Sequence, residues 1–147
     1  MFSLDPAFAV QRQLDAEKAV VERQVIRFDL NSALLPASQF DALDTAAESI
    51  VRLRQMAAEN GERVAIKIDG HTDQTGADDR NRQLSEARAQ TVAMLLLRRG
   101  VTPDMLNTEG LGDSRPEHAG DATYPVELDR RVTFQVFLVP ATAGAAK

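Results

Sequence analysis

The stretch from residue 64 to residue 97 restricts the fold of this 147-residue chain more than any other part. Apolar residues alternate with less apolar ones over Val64–Asp69, which predicts a strand with one covered face. A polar loop runs from His71 to Asp79, and apolar residues then recur at helical spacing until a stop near Gly100. We therefore expect a strand, a polar loop and an amphipathic helix that packs on the sheet.

Two charged residues stand out in this stretch. Arg88 shares its helical stripe with three apolar residues, Leu84, Val92 and Leu96, at positions i−4, i+4 and i+8. Asp73 lies in the loop that precedes the helix. Because an unpaired buried charge is costly, Arg88 should either pair with a nearby carboxylate or bind a ligand, and Asp73 is the nearest suitable carboxylate. The residues alone leave two interpretations open, an internal salt bridge and a ligand-binding pair.

Composition excludes several kinds of site. The net charge of −5 and the pI of about 5.0 argue against nucleic-acid binding through bulk charge. The absence of cysteine excludes disulfides, thiolate metal sites and a thiol nucleophile, and the two histidines, His71 and His118, form no metal-ligand motif. We therefore expect neither a metal nor a cofactor.

No apolar run in the sequence reaches the roughly 18 residues that a membrane-spanning helix needs. The opening residues MFSLDPAFAV lack the basic and apolar regions of a secretory signal. If the protein works outside the cytoplasm, we expect this sequence to be a mature form or a fragment.

The rest of the chain completes an α+β pattern. An Asp5-Pro6 start predicts a first helix to about Arg23, and Pro36 and Ser38 open a helix that ends at Asn60-Gly61. Further strands are predicted over Val25–Leu30, Met105–Gly110 and Arg131–Leu138, and in the first of these Ile26, Phe28 and Leu30 should face the core. The order is β-α-β-α-β-β after an N-terminal helix, which predicts a two-layer domain with a mixed four-stranded sheet and helices on one face.

Several motifs carry a resemblance to a known family. The residues GHTDQTG (70–76), Asn81 and LSEARA (84–89) resemble the signature of the OmpA-like peptidoglycan-binding domain, found in OmpA, in the lipoprotein Pal and in the flagellar stator protein MotB. Asp129-Arg130-Arg131-Val132 resembles the family's entry to the last strand. The resemblance covers about residues 25–138 and implies an OmpA-like domain over 25–139. Outside it, the residues themselves predict an N-terminal helical extension over 1–24 and a disordered tail over 140–147.

The family resemblance also implies a function and a site. The expected function is non-catalytic binding of peptidoglycan through the meso-diaminopimelate of its stem peptide, which anchors an envelope component to the cell wall. Asp73 would bind the ammonium of this zwitterion and Arg88 its carboxylate. Supporting ligand-binding residues would be Thr75, Asn81, Leu84, Asp29 and Asn31. In this interpretation, replacing Asp73 or Arg88 by alanine should abolish binding with little loss of stability.

Other residues are assigned structural roles. Ser85 and Glu86 should support the helix turn. Of Arg130 and Arg131, one should reach beneath the site or pair with Asp69, and the other should be solvated.

Two rival functions are considered. An enzyme acting on the wall would need a nucleophile, a metal cluster or a carboxylate pair, and nothing places two of Asp78, Asp79 and Glu86 across a cleft. A protein–protein interaction module of an envelope or secretion complex could use the same fold. Under either binding hypothesis we expect a periplasmic location in the cell envelope, with membrane association through a segment outside this sequence.

Overall fold

A computed structural model describes residues 6–73, 77–113 and 129–141. The elements within these ranges are helices α1 (Pro6–Arg23), α2 (Phe40–Glu59) and α3 (Asp78–Leu97), and strands β1 (Ile26–Arg27), β2 (Glu62–Gly70), β3 (Leu106–Gly110) and β4 (Arg131–Pro140). Short 3₁₀ turns, Ala37–Gln39 and Pro103–Met105, precede α2 and β3. Most of the predicted polar loop after Gly110, and all but the start of the predicted disordered tail, lie outside the described residues.

The four strands form one mixed sheet in the order β1-β4-β2-β3. β2 and β3 are parallel, and β4 runs antiparallel to both β1 and β2. This confirms the predicted α+β class, the element order and the mixed four-stranded sheet. Because β4 is antiparallel to both neighbours, its first residues lie where β1 and β2 end.

The hydrophobic core lies between the sheet and the helices. Val64, Ile66 and Ile68 of β2 are buried, whereas Ala65 between them is exposed. The core also contains buried apolar residues from all three helices, among them Leu14, Leu43, Ile50, Leu53, Val92 and Leu96. None of the helices in the described ranges is long and apolar enough to cross a membrane.

Helix α1 contributes to this core and to one sheet edge. Leu14 and Val21 are fully buried, whereas Phe8 is mostly exposed. β1 pairs with only the first two residues of β4, and the Glu22 carboxylate accepts a hydrogen bond from the Val136 backbone N–H at 2.9 Å. The helix therefore satisfies part of an edge that would otherwise be left unpaired. The domain boundary near residue 25 stays a prediction.

The first strand is shorter than the sequence predicts. Within the described residues, one further backbone bond follows Arg27, from Phe28 N–H to the carbonyl of Arg130, the residue before β4, at 2.9 Å. The chain then turns, with Asn31 at a positive φ of 57° and Ser32 N–H bonded to the Asp29 carbonyl. The prediction that Leu30 faces the core is wrong, because the strand ends before it and its side chain is 56% exposed.

Two glycines allow α3 to lie directly on the strand ends. A Cβ added at Gly70 would stand 1.8 Å from the Ser85 carbonyl oxygen, and one at Gly110 would stand 2.6 Å from the Arg82 carbonyl oxygen. Both neighbours are backbone atoms of α3, so neither can move without shifting the helix. Gly70 and Gly110 therefore permit a close approach between the backbone of α3 and the two strand ends.

We expect Gly70→Ala to lower the free energy of unfolding by about 3 kcal/mol or more, because the methyl group overlaps helix backbone. Gly61→Ala is the matched control: it has open space and only a positive φ to strain it, and should cost about 1 kcal/mol. Urea denaturation of the two variants checks this. Equal losses would contradict the close contact between α3 and the sheet.

Candidate functional site

A small cleft opens where β1, β2 and β4 meet the first half of α3. Its empty volume, including the open mouth, is about 180 Å³. The lining residues are Leu30, Asn31, Thr72, Asp73, Asn81, Leu84, Arg88 and Arg130. The structure thus brings together five residues that the sequence analysis singled out: Asn31, Asp73, Asn81, Leu84 and Arg88.

Arg88 is fully buried and held by backbone carbonyls. Its Nε donates to the Ser32 carbonyl at 2.8 Å, its Nη1 to the His71 carbonyl at 3.0 Å and its Nη2 to the Asp29 carbonyl at 2.9 Å. The guanidinium carbon lies 5.4 Å from the centre of the Phe28 ring, within cation–π range. One side chain therefore joins α3 to the turn after β1 and to the end of β2.

The same guanidinium retains hydrogen-bonding capacity toward the cleft. A guanidinium carries five N–H bonds, and the three carbonyls take one from each nitrogen, which leaves one on Nη1 and one on Nη2. The pKa of Arg88 is lowered to about 10, mainly by burial and to a smaller extent by repulsion from Arg130. The nearby negative charge of Asp73 opposes this shift. Arg88 thus stays cationic at neutral pH.

Asp73 supplies the negative charge of the cleft. The residue is only 3% exposed, and its Oδ2 lies 3.2 Å from Nη1 of Arg130. The Nε of Arg130 also donates to the Phe28 carbonyl at 3.3 Å. Asp73 and Arg88 therefore line one cleft, but the short ion pair of Asp73 is with Arg130.

The sequence predicts that one of Arg130 and Arg131 reaches beneath the site, but it does not include Arg130 among the ligand-binding residues; Arg130 lines the cleft. The expectation that the other arginine is solvated is wrong, because Arg131 is buried and ion-paired with Asp129 at 3.4 Å. Asp69 instead accepts from Gln135 at 2.6 Å and lies 3.6 Å from the Lys67 ammonium. The signal that could have located Arg130 is the antiparallel placement of β4, which puts its first residues beside the end of β2.

Two buried polar atoms at the cleft have no hydrogen-bond partner among the residues that the structure describes. These are the Thr72 hydroxyl oxygen and the Asn81 side-chain nitrogen, and both residues are 4% exposed. Buried polar atoms are nearly always satisfied in proteins, so an orphan beside a cleft indicates a place that a ligand or a water fills. Thr72 was not among the predicted site residues.

The remaining predicted residues lie elsewhere or outside the description. The backbone carbonyl of Asp29 accepts a hydrogen bond from Arg88. The residue itself is exposed and is not among the residues that line the cleft. Thr75 falls outside the described residues, and so does His118. His71 is buried, and its Nε2 lies 2.9 Å from the Thr133 hydroxyl oxygen.

Ser85 and Glu86 make contacts that fit the structural roles expected of them. The Ser85 hydroxyl donates to the Arg82 carbonyl and accepts from Gly112 N–H at 2.9 Å. The Glu86 carboxylate accepts from the Thr108 hydroxyl at 2.9 Å. These bonds fix α3 to β3 and to the turn after it.

The chemistry available in the cleft is ion pairing and hydrogen bonding. Among the described residues that line it, two guanidiniums and one carboxylate leave a net charge of +1. Over the described ranges, no group of three or more histidine or acidic side chains is placed to hold a metal ion. The arrangement suits a small ligand that carries both an anionic and a cationic group.

Comparison with known proteins assigns the chain to a family. The model of the OmpA family matches residues 27–124, two thirds of the chain. The chain belongs to the OmpA family.

Relatives of this OmpA-family chain include two lipoproteins. The peptidoglycan-associated lipoprotein of Pseudomonas putida is 31% identical over 124 residues, which are 84% of this chain and 69% of that protein. The probable lipoprotein YiaD of Escherichia coli is 31% identical over 107 residues, 73% of this chain and 45% of YiaD. The chain spans less than half the length of YiaD and of other curated relatives that it matches.

A solved relative has the same fold. The crystal structure of the peptidoglycan-associated lipoprotein from Burkholderia pseudomallei aligns with a TM-score of 0.70 at 22% identity. The alignment covers 85% of this OmpA-family chain and 99% of that one. At this sequence identity, the structural similarity shows that the two chains share a fold.

The burial of Arg88 changes what its removal should do. The sequence analysis expected Arg88→Ala to leave stability nearly intact, but the variant would leave three backbone carbonyls without their donor. We expect a loss of about 3 kcal/mol or more in the free energy of unfolding. Urea denaturation measures this loss, with Arg54→Ala on the exposed face of α2 as a control that should change stability by less than about 0.5 kcal/mol. Similarly small changes in the free energy of unfolding of both variants would contradict the structural role of Arg88.

Proposed function

We propose that this chain binds peptidoglycan without cleaving it, through the zwitterionic end of meso-diaminopimelate in the stem peptide. The observation that carries the proposal is a buried acid and a buried base at one cleft, beside two polar atoms that have no partner. In this role the chain anchors a component of the cell envelope to the wall from the periplasm.

The charges of the cleft match the two ends of the ligand. The free amino-acid end of diaminopimelate carries an ammonium and a carboxylate on one carbon. The Asp73 carboxylate can only accept hydrogen bonds, so it suits the ammonium of the ligand. The two remaining N–H bonds of Arg88 suit the carboxylate of the ligand. A planar guanidinium can hold a carboxylate with two parallel hydrogen bonds, which a lysine could not do.

The uncharged lining residues fit the rest of the head group. The Asn81 side-chain nitrogen is a donor that suits a carboxylate oxygen, and the Thr72 hydroxyl can donate or accept. Leu30 and Leu84 provide apolar surface at the cleft, which suits the methylene chain that joins the two amino-acid centres of diaminopimelate. Thr75 and Asp29 stay secondary candidates from the sequence.

The relatives support this role. The Pseudomonas putida and Burkholderia pseudomallei proteins are named for their association with peptidoglycan. Because the chain spans only part of several relatives, the membrane anchor and any envelope protein partner belong to the proposal as well.

We infer a binding role and no bond cleavage. The cleft offers one carboxylate and two permanent cations, whereas glycoside hydrolysis uses two carboxylates across the bond and other wall hydrolases use a metal or a nucleophile–base pair. A single small charged head group supports modest affinity. The repeated stem peptides of the wall then raise the effective affinity through multiple attachments.

Replacing the acid tests the site without a large change of shape. We expect Asp73→Asn to weaken retention on purified sacculi roughly tenfold to a hundredfold, since one charge-assisted contact to the ammonium is lost. Asp104→Asn, exposed at the opposite end of the sheet, changes the net charge equally and should bind as the wild type does.

The same pull-down separates the proposal from its rivals. Wild-type protein that stays in solution would contradict the proposal, and capture of an envelope protein instead would favour the protein–protein alternative. Fragments released from the sacculi would indicate an enzyme.

The ligand can be changed as well as the protein. Amidating the free carboxylate of the diaminopimelate head group removes the charged partner of Arg88. We expect the dissociation constant, measured by calorimetry on soluble stem peptides, to rise about tenfold or more. Unchanged affinity would contradict the assignment of Arg88 to that carboxylate.

A further inference from the structure

The charges of the described residues that line the cleft do not cancel, even with the proposed head group in place. Arg88 and Arg130 carry two positive charges, and Asp73 carries one negative charge. A zwitterion adds no net charge, so these three residues keep a charge of +1 when the head group is bound. A ligand with one further negative group near the cleft would neutralise it.

The ammonium and Arg130 would both draw on the Asp73 carboxylate. Its Oδ2 lies 3.2 Å from Nη1 of Arg130. An ammonium that approaches Asp73 competes with this guanidinium for Oδ2 and repels it, because the two cations carry the same charge. The cation that is held less firmly then moves away.

Arg130 is held more loosely than Arg88. Its side chain is 19% exposed, and its bonds to Asp73 and to the Phe28 carbonyl are 3.2 and 3.3 Å long. Arg88 is fully buried and makes three bonds of 2.8 to 3.0 Å. Repulsion between the two guanidiniums also favours outward movement of the more exposed one.

We infer that the ligand's ammonium displaces Arg130 from Asp73, and that the released guanidinium binds a second carboxylate of the same stem peptide. The inference rests on the proposed function and adds a specificity to it. The cleft selects a stem peptide with a free carboxylate beside diaminopimelate over one in which that carboxylate is amidated. The α-carboxylate of the neighbouring D-glutamate is a group of this kind.

Two soluble probes test the inference on the unmodified protein. γ-D-Glutamyl-meso-diaminopimelate carries the second carboxylate, and its D-isoglutaminyl counterpart carries an amide there; both keep the zwitterionic head. Calorimetry at fixed ionic strength should give the carboxylate probe about threefold to tenfold tighter binding. Equal dissociation constants would overturn the inference and leave the proposed function standing, whereas failure of both probes to bind would overturn both.

The Arg130→Gln variant tests whether Arg130 causes the preference for the carboxylate probe. We expect the variant to bind both probes equally, because the uncharged glutamine side chain cannot form an ion pair with the second carboxylate. Arg54→Gln, an equal change of charge on the exposed face of α2, should keep the wild-type preference.

Melting temperatures of both variants establish that they are folded. If Arg130→Gln weakens both probes and keeps the preference, Arg130 only positions Asp73 and the inference is wrong. The comparison of the two probes on wild-type protein decides the selectivity even if the variant does not fold.

Discussion

The site depends on one buried guanidinium. Arg88 donates to three backbone carbonyls that belong to two separate segments, the turn after β1 and the end of β2. A buried charge is tolerable only when its hydrogen bonds are satisfied, so these carbonyls fix the turn and the strand end relative to α3. Because they leave two N–H bonds unused, the group that organises the cleft can also act as its anion receptor.

Close packing puts that guanidinium in place. Gly70 and Gly110 bring the backbone of α3 against the ends of the two parallel strands, and the Ser85 hydroxyl accepts from the N–H of Gly112 in the turn that follows. The antiparallel strand β4 enters the sheet at the same edge, which brings Arg130 beside Asp73. Strand order and the contact of α3 with the sheet thus bring together residues that are up to 100 positions apart in the sequence, Leu30 and Arg130.

Part of this arrangement is readable from the sequence. The alternation at Val64–Ile68, the helical stripe around Arg88 and the glycine before the loop each encode local structure, so the element order and the placement of Asp73 and Arg88 at one cleft could be inferred. Which of Arg130 and Arg131 lines the cleft could not, because this follows from strand order, which local patterns do not encode. Leu30 was misplaced for a related reason: its alternation continues a strand that the tertiary structure ends at Arg27.

The central claim is that an amino-acid head group lies between Asp73 and Arg88. A crystal structure of this chain grown with meso-diaminopimelate tests it most directly. We expect an ammonium within hydrogen-bond distance of the Asp73 carboxylate and a carboxylate on the terminal nitrogens of Arg88. The bonds from Arg88 to the Asp29, Ser32 and His71 carbonyls should be retained. A head group bound away from this cleft, with Arg88 contacting only those carbonyls, would contradict it.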